Sequence, residues 1–127
     1  MINGVKSATE HQEQATLFRW VSLVRGTHPE LDLLHAIPNG GHRHNAVAAR
    51  MKAEGVRRGV PDLCLPVASG GYHGLYIEMK SRKGRLSSEQ RQWGDALHAQ
   101  GYCFQMCRSW REAATTIGDY LGINPRF

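Results

Sequence analysis

The chain has 127 residues, 41% of them hydrophobic, and a formal charge of +5. That length supports one domain whose core needs no staple, and no apolar run approaches the roughly 18 residues of a membrane span. The opening "MINGVKSATEH" lacks the charged-then-apolar layout of a secretory signal, so a cytoplasmic location is expected.

In chain order, residues 8–25 ("ATEHQEQATLFRWVSLVR") read as a helix. Leu17, Trp20, Val21 and Val24 recur at helical spacing, Thr9 can cap the start, and Gly26 ends it. "LDLLHAI" (31–37) reads as a short strand and "PNGG" (38–41) as a turn. Residues 43–54 form a polar helix with Ala and Met on one side, closed by Gly55. "DLCLPV" (62–67) and "GLYIEMK" (74–80) are strands joined by the hairpin loop "ASGGYH". Ser87 or Ser88 caps a helix running to about Ala99, with Gln90, Trp93 and Leu97 in register. "YCFQMC" (102–107) is a further strand, and "SWREAATTIGDYLG" (109–122) a last helix opened by a capping box of Ser109 and Glu112. The order α-β-α-β-β-α-β-α describes a small mixed α/β sandwich. Trp20, Trp93 and Trp110 sit at core spacing. Cys64, Cys103 and Cys107 lie in or beside apolar strands and read as free thiols.

The strand "GLYIEMK" carries charges that need a reason. Its side chains alternate, so Leu75, Ile77 and Met79 share one face and Tyr76, Glu78 and Lys80 the other. If the hairpin folds symmetrically about Gly70, Asp62 falls opposite Glu78, with Cβ atoms roughly 4.5–5.5 Å apart. Like charges so placed destabilise a sheet, and a divalent cation offsets the repulsion. Mg²⁺ takes hard oxygen ligands, few of them from protein, with water and substrate phosphate completing the shell. Lys80, on the same face, can orient or deprotonate a water, or stabilise charge growing on a phosphate.

Basic residues flank this strand: Arg43, Arg50, Lys52, Arg57 and Arg58 in "HRHNAVAARMKAEGVRRG" (42–59), and Arg82, Lys83 and Arg85 in "KSRKGR" (80–85). Such residues hold a nucleic-acid backbone without reading sequence. Together these features describe a metal-dependent phosphodiesterase. The "EMK" triplet alone carries little, since about one acid-x-lysine triplet is expected in a chain of this length. The plain alternative is that Lys80 neutralises Glu78 on a solvated face.

"PD" at 61–62 and "EMK" at 78–80 resemble the PD-(D/E)xK nuclease superfamily. More narrowly, "EHQEQ", "IPNGG", "GVRRGVPDLCLP" and "GLYIEMKSRKGRLSSEQRQW", then "GY" opening the last strand, resemble the virus-type replication-repair nuclease (VRR-NUC) domain. The resemblance spans about residues 10–121 and implies a single domain over 1–127. Its fold would be restriction-endonuclease-like, a small central mixed β-sheet flanked by helices.

By this resemblance Asp62 and Glu78 ligate Mg²⁺ or Mn²⁺ with help from the Met79 carbonyl, and Lys80 is the catalytic lysine. A first-helix glutamate joins them, either Glu10 or Glu13. Glu13, one turn before Leu17, is preferred, and Glu10 then reads as a first-turn acid favoured by the helix dipole. Gln90 matches a polar position that supports the lysine or a phosphate. Asn39, Arg43, His44, Arg50, Arg57, Arg58, Arg82, Lys83 and Arg85 are the expected DNA contacts.

The resemblance further implies a stand-alone, phage- or prophage-encoded endonuclease in a bacterial host. It would cut branched DNA as a Holliday-junction resolvase does, as a homodimer, leaving 5′-phosphate and 3′-hydroxyl ends. Two alternatives stay open: a non-catalytic module that binds structured DNA, and a sequence-specific restriction-type endonuclease.

Overall fold

The computed structural model describes residues 8–38 and 44–124. Its helices are α1 (Ala8–Val24), α2 (Asn45–Ala53), α3 (Ser88–Ala99) and α4 (Trp110–Leu121), and its strands β1 (His35–Ala36), β2 (Leu63–Leu65), β3 (Leu75–Met79) and β4 (Cys103–Cys107). The strands form one mixed sheet in the order β1-β2-β3-β4. β2 runs antiparallel to both β1 and β3, whereas β3 and β4 are parallel. The parallel pair follows from chain order, because α3 is the crossover between β3 and β4.

One sheet face carries Leu63, Leu65, Leu75, Ile77, Met79 and Cys107. These pack with Leu17, Trp20 and Val21 of α1 and with Ala113, Ala114 and Ile117 of α4. Fully burying one Leu or Ile contributes about 1.5–3 kcal/mol, so this face anchors β2 and β3. The opposite face is covered at β4 by α3. The helix approaches so closely that a Cβ on Gly94 would stand 2.6 Å from ring carbons of Phe104.

The strand expected over 31–37 is mostly something else. Residues Pro29–Leu33 form a 3₁₀ helix, and only His35 and Ala36 pair with β2. Leu31 and Leu34 are buried while Leu33 is exposed, so the buried spacing is three residues, that of a 3₁₀ turn rather than of a strand. Pro29 supplies the helix start, and Arg25 pairs through Nε and Nη2 with the Asp32 carboxylate, tying the end of α1 to this turn.

The helix termini follow their expected chemistry with small differences. α1 begins at Ala8, one residue ahead of Thr9. His44 caps α2 through Nδ1, which accepts from the Ala46 N–H at 3.3 Å. At α3 the capping box closes, with Ser87 Oγ accepting from Gln90 N–H at 3.1 Å and Gln90 Oε1 accepting from Ser87 N–H at 2.9 Å. At α4 only the Ser109 half of the expected box forms, Oγ accepting from Glu112 N–H at 3.1 Å. The expected turn over 38–41 lies largely outside the described residues.

Candidate active site at the end of strand β3

The site begins with a hairpin of unequal arms. β2 and β3 pair Leu63 with Ile77, Cys64 with Tyr76 and Leu65 with Leu75. The same register continued one step sets Asp62 opposite Glu78. The turn itself is centred elsewhere. Ser69 and Tyr72 bond each other in both directions around Gly70 and Gly71, whose φ values of 58° and 88° suit a primed two-residue turn. Pro66, Val67 and Ala68 therefore span what His73 and Gly74 span on the other arm, a bulge of one residue. Tyr120 Oη donates to the Val67 carbonyl at 2.5 Å, and Ser69 Oγ donates to the Tyr120 carbonyl at 2.7 Å, so α4 holds the bulge. Without that extra residue the ladder would slip by one and turn Asp62 away from Glu78.

The charged side chains collected here are buried. Glu10 is 1% exposed, Asp62 4%, Glu78 1% and Lys80 5%, which removes the reading of Lys80 and Glu78 as a solvated surface pair. Asp62 Oδ2 accepts from the Met79 N–H at 2.7 Å. Lys80 Nζ stands 3.5 Å from Glu78 Oε2. Gln90 Nε2 donates to the same Glu78 oxygen at 3.1 Å. Lys80 also continues the sheet, its N–H donating to the Cys107 carbonyl at 2.9 Å.

The first-helix acids divide differently from the expectation. Glu10 Oε2 accepts from the N–H of Ser81, the residue after Lys80, at 2.6 Å. Glu13, preferred from the sequence, instead accepts at Oε1 from the Trp110 N–H at 2.9 Å and so caps α4. Glu10 is thus no solvated first-turn acid. Both glutamates lie on the apolar stripe, seven and four residues before Leu17, so periodicity alone does not separate them.

Three carboxylates, Glu10, Asp62 and Glu78, and one lysine are buried together, in a place where charges are expensive to hold. The donors are all hard oxygens, which fits Mg²⁺ or Mn²⁺ and excludes a soft-metal site. No cluster of three or more His, Cys, Asp or Glu that would cage a metal occurs among the described residues. The fit is therefore to an ion that takes few protein ligands and fills its shell with water and phosphate.

The basic residues expected at a DNA surface are exposed where described: His44, Arg50, Arg57, Arg58, Arg82, Lys83 and Arg85. Asn39 and Arg43 lie outside the described residues. The Arg57–Arg58 turn is docked on the start of α3. Gly59, at φ 89°, passes so close that a Cβ would stand 2.8 Å from Glu89 Cβ, and Arg58 Nη2 lies 3.8 Å from Glu89 Oε2.

One residue escaped the sequence reading. Arg108 Nη1 donates to the carbonyls of Ser81, Arg82 and Gly84 at 2.8, 3.0 and 2.7 Å, gathering the turn that follows Lys80. Its only signal is its place directly after β4.

The curated proteins compared contain no match to the chain. A solved structure titled "VRR_NUC domain protein" superposes with a TM-score of 0.74 at 28% identity, covering 94% of this chain and 93% of that one. A model of the VRR-NUC domain family matches residues 6–110. That match takes in Glu10, Asp62, Glu78, Lys80 and Gln90 together, and the chain belongs to the VRR-NUC domain family, a nuclease-type domain.

Proposed function

We propose that the protein is a Mg²⁺- or Mn²⁺-dependent DNA endonuclease that cuts branched DNA, such as a four-way junction, as a homodimer. The observation that carries this reading is the burial of Asp62, just before β2, and of Glu78 in the adjacent β3, with Lys80 Nζ 3.5 Å from Glu78 and arginines and lysines exposed on the turns that follow. Asp62, Glu78 and the Met79 carbonyl would hold the ion, with Glu10 rather than Glu13 as the first-helix acid. When bound, the ion supplies Lewis-acid polarisation of the scissile phosphate and a water of lowered pKa.

The chain's own residues do the rest. Lys80 stands where it can donate to the phosphate oxygens as charge grows on them, or hold the attacking water in line. Gln90 fixes the rotamer of Glu78. Arg57, Arg58, Arg82, Lys83 and Arg85 hold the flanking phosphates without reading bases. A homodimer suits the symmetry of a four-way junction, which needs two sites for paired cuts.

The test is cleavage of an end-labelled four-way junction beside linear duplex and a 5′ flap, with Mg²⁺, with Mn²⁺ and with EDTA. The expected result is paired, metal-dependent cuts in the junction arms. Salt-sensitive binding of every substrate with no cutting would leave a DNA-binding module. Cutting of linear duplex at one defined sequence would make it a restriction-type enzyme.

A further inference from the structure

Arg108 follows β4 directly and precedes Ser109, the cap of α4. In the parallel register of β3 and β4, Met79 lies beside Cys107, so Arg108 runs beside Lys80. Its Nη1 gathers three carbonyls of the turn 81–84, and Gly84 N–H closes that turn on the Ser81 carbonyl at 3.1 Å. Ser81 is thereby gripped on both sides, its N–H by Glu10 and its carbonyl by Arg108.

All three of these partners are neutral. Among the described residues, no ion pair involves Arg108, and its Nε and Nη2 make no hydrogen bond. A clamp on carbonyls needs donors but no charge, and holding a half-buried charge with no carboxylate beside it is unfavourable. An arginine that spends one amino group on the protein keeps N–H donors whose spacing matches two oxygens of a phosphate. The turn it gathers presents Arg82 and Lys83 to solvent.

We propose that Arg108 is a DNA-binding residue, placing its remaining guanidinium donors on a backbone phosphate next to Lys80 while its Nη1 holds the basic turn in position. This rests on the DNA-binding part of the proposed reading of the same site.

The experiment is binding of a fluorescently labelled four-way junction in EDTA over a salt series of about 50–200 mM, with thermal melting of each protein as a folding control. Arg108→Gln keeps an amide donor and removes the charge, so the slope of log affinity against log salt should become shallower by about 0.9, one phosphate's worth. Arg108→Lys keeps the charge and should keep the slope. On the unaltered protein, junction DNA should shield Arg108 from an arginine-specific dicarbonyl reagent, a measurement that needs no variant to fold. Wild-type slope and affinity in Arg108→Gln, equal loss of slope in Arg108→Lys, or equal modification with and without DNA would each overturn the proposal. Wild type that binds the junction but never cuts it contradicts the nuclease reading and leaves the Arg108 contact standing.

Discussion

Gln90 donates from Nε2 to Glu78 Oε2 at 3.1 Å, and the other end of the same amide accepts from the Ser87 N–H at 2.9 Å. The capping box fixes which end of the amide faces the carboxylate, so a helix terminus orients the buried Glu78 side chain. Glutamate caps a helix equally well but puts an acceptor against an acceptor. Gln90→Glu should therefore destabilise the metal-free protein by about 2 kcal/mol at pH 7. Urea unfolding in EDTA at pH 7 measures it. Equal stability of variant and wild type at pH 7 would contradict the arrangement.

The bulge of Pro66, Val67 and Ala68 sets which way Asp62 faces. Deleting Ala68 forces the ladder to slip or the Gly70–Gly71 turn to open, and cleavage should fall by about 10²-fold or more. Adding two residues at the turn itself lengthens the tip below the bulge and should leave cleavage within a few-fold. Rates on the junction substrate compare the two, and equal loss in both would show that the bulge does not set the site.

Much of this site is legible in the sequence. The alternation of "GLYIEMK" and the distance to Asp62 set the two acids opposite each other, and the hairpin reaches that register through a one-residue bulge and a Gly70–Gly71 turn rather than through symmetric arms. Ser87 and Ser109 announced two helices by capping chemistry that acts within four residues. What escaped depends on partners distant in sequence. Glu10 and Glu13 share one stripe of α1 and are told apart only by Ser81 and Trp110, 71 and 97 residues away. Leu31 and Leu34 look like strand residues until Pro29 and the Arg25–Asp32 pair turn the chain into a 3₁₀ helix. Arg108 has no local signature because its partners are backbone carbonyls.

The two glutamates should separate in experiment. Glu13→Gln weakens the acceptor for Trp110 N–H and should lower stability by about 1 kcal/mol with little effect on cleavage. Glu10→Gln should remove cleavage by at least about 10²-fold. Melting curves and junction-cleavage rates for both variants decide it, and the reverse pattern would favour Glu13 as the first-helix ligand.

Gly94 sits where α3 meets Phe104. Replacing glycine by alanine in a helix ordinarily stabilises by about 1 kcal/mol, but here the new Cβ meets the ring at 2.6 Å. Gly94→Ala should instead destabilise by about 1–3 kcal/mol, and adding Phe104→Leu should recover part of the loss. A double-mutant cycle by chemical denaturation tests this; strict additivity would mean that the ring moves aside freely.

Burial pushes the Cys107 thiol up to about 11 from its usual 9.0, with the Thr116 hydroxyl acting the other way. The unfolded chain therefore gives up this proton at lower pH than the folded one. The associated stability is fully present below pH 9 and is lost as pH rises to 11, by on the order of 2–3 kcal/mol. Unfolding free energies from pH 8 to 11 for wild type and Cys107→Ala measure it, and parallel curves would refute the assignment.

If the buried cluster at the end of β3 is a metal-dependent cutting site, single-turnover cleavage of a labelled four-way junction will show it, run in Mg²⁺ and in Mn²⁺ with wild type, Glu78→Gln and Lys80→Ala, each first shown to melt cooperatively. Wild type should cut only with metal, and both variants should bind the junction and lose cutting by about 10²-fold or more. A folded Glu78→Gln or Lys80→Ala that cuts at the wild-type rate, or wild type that cuts equally in EDTA, would contradict it.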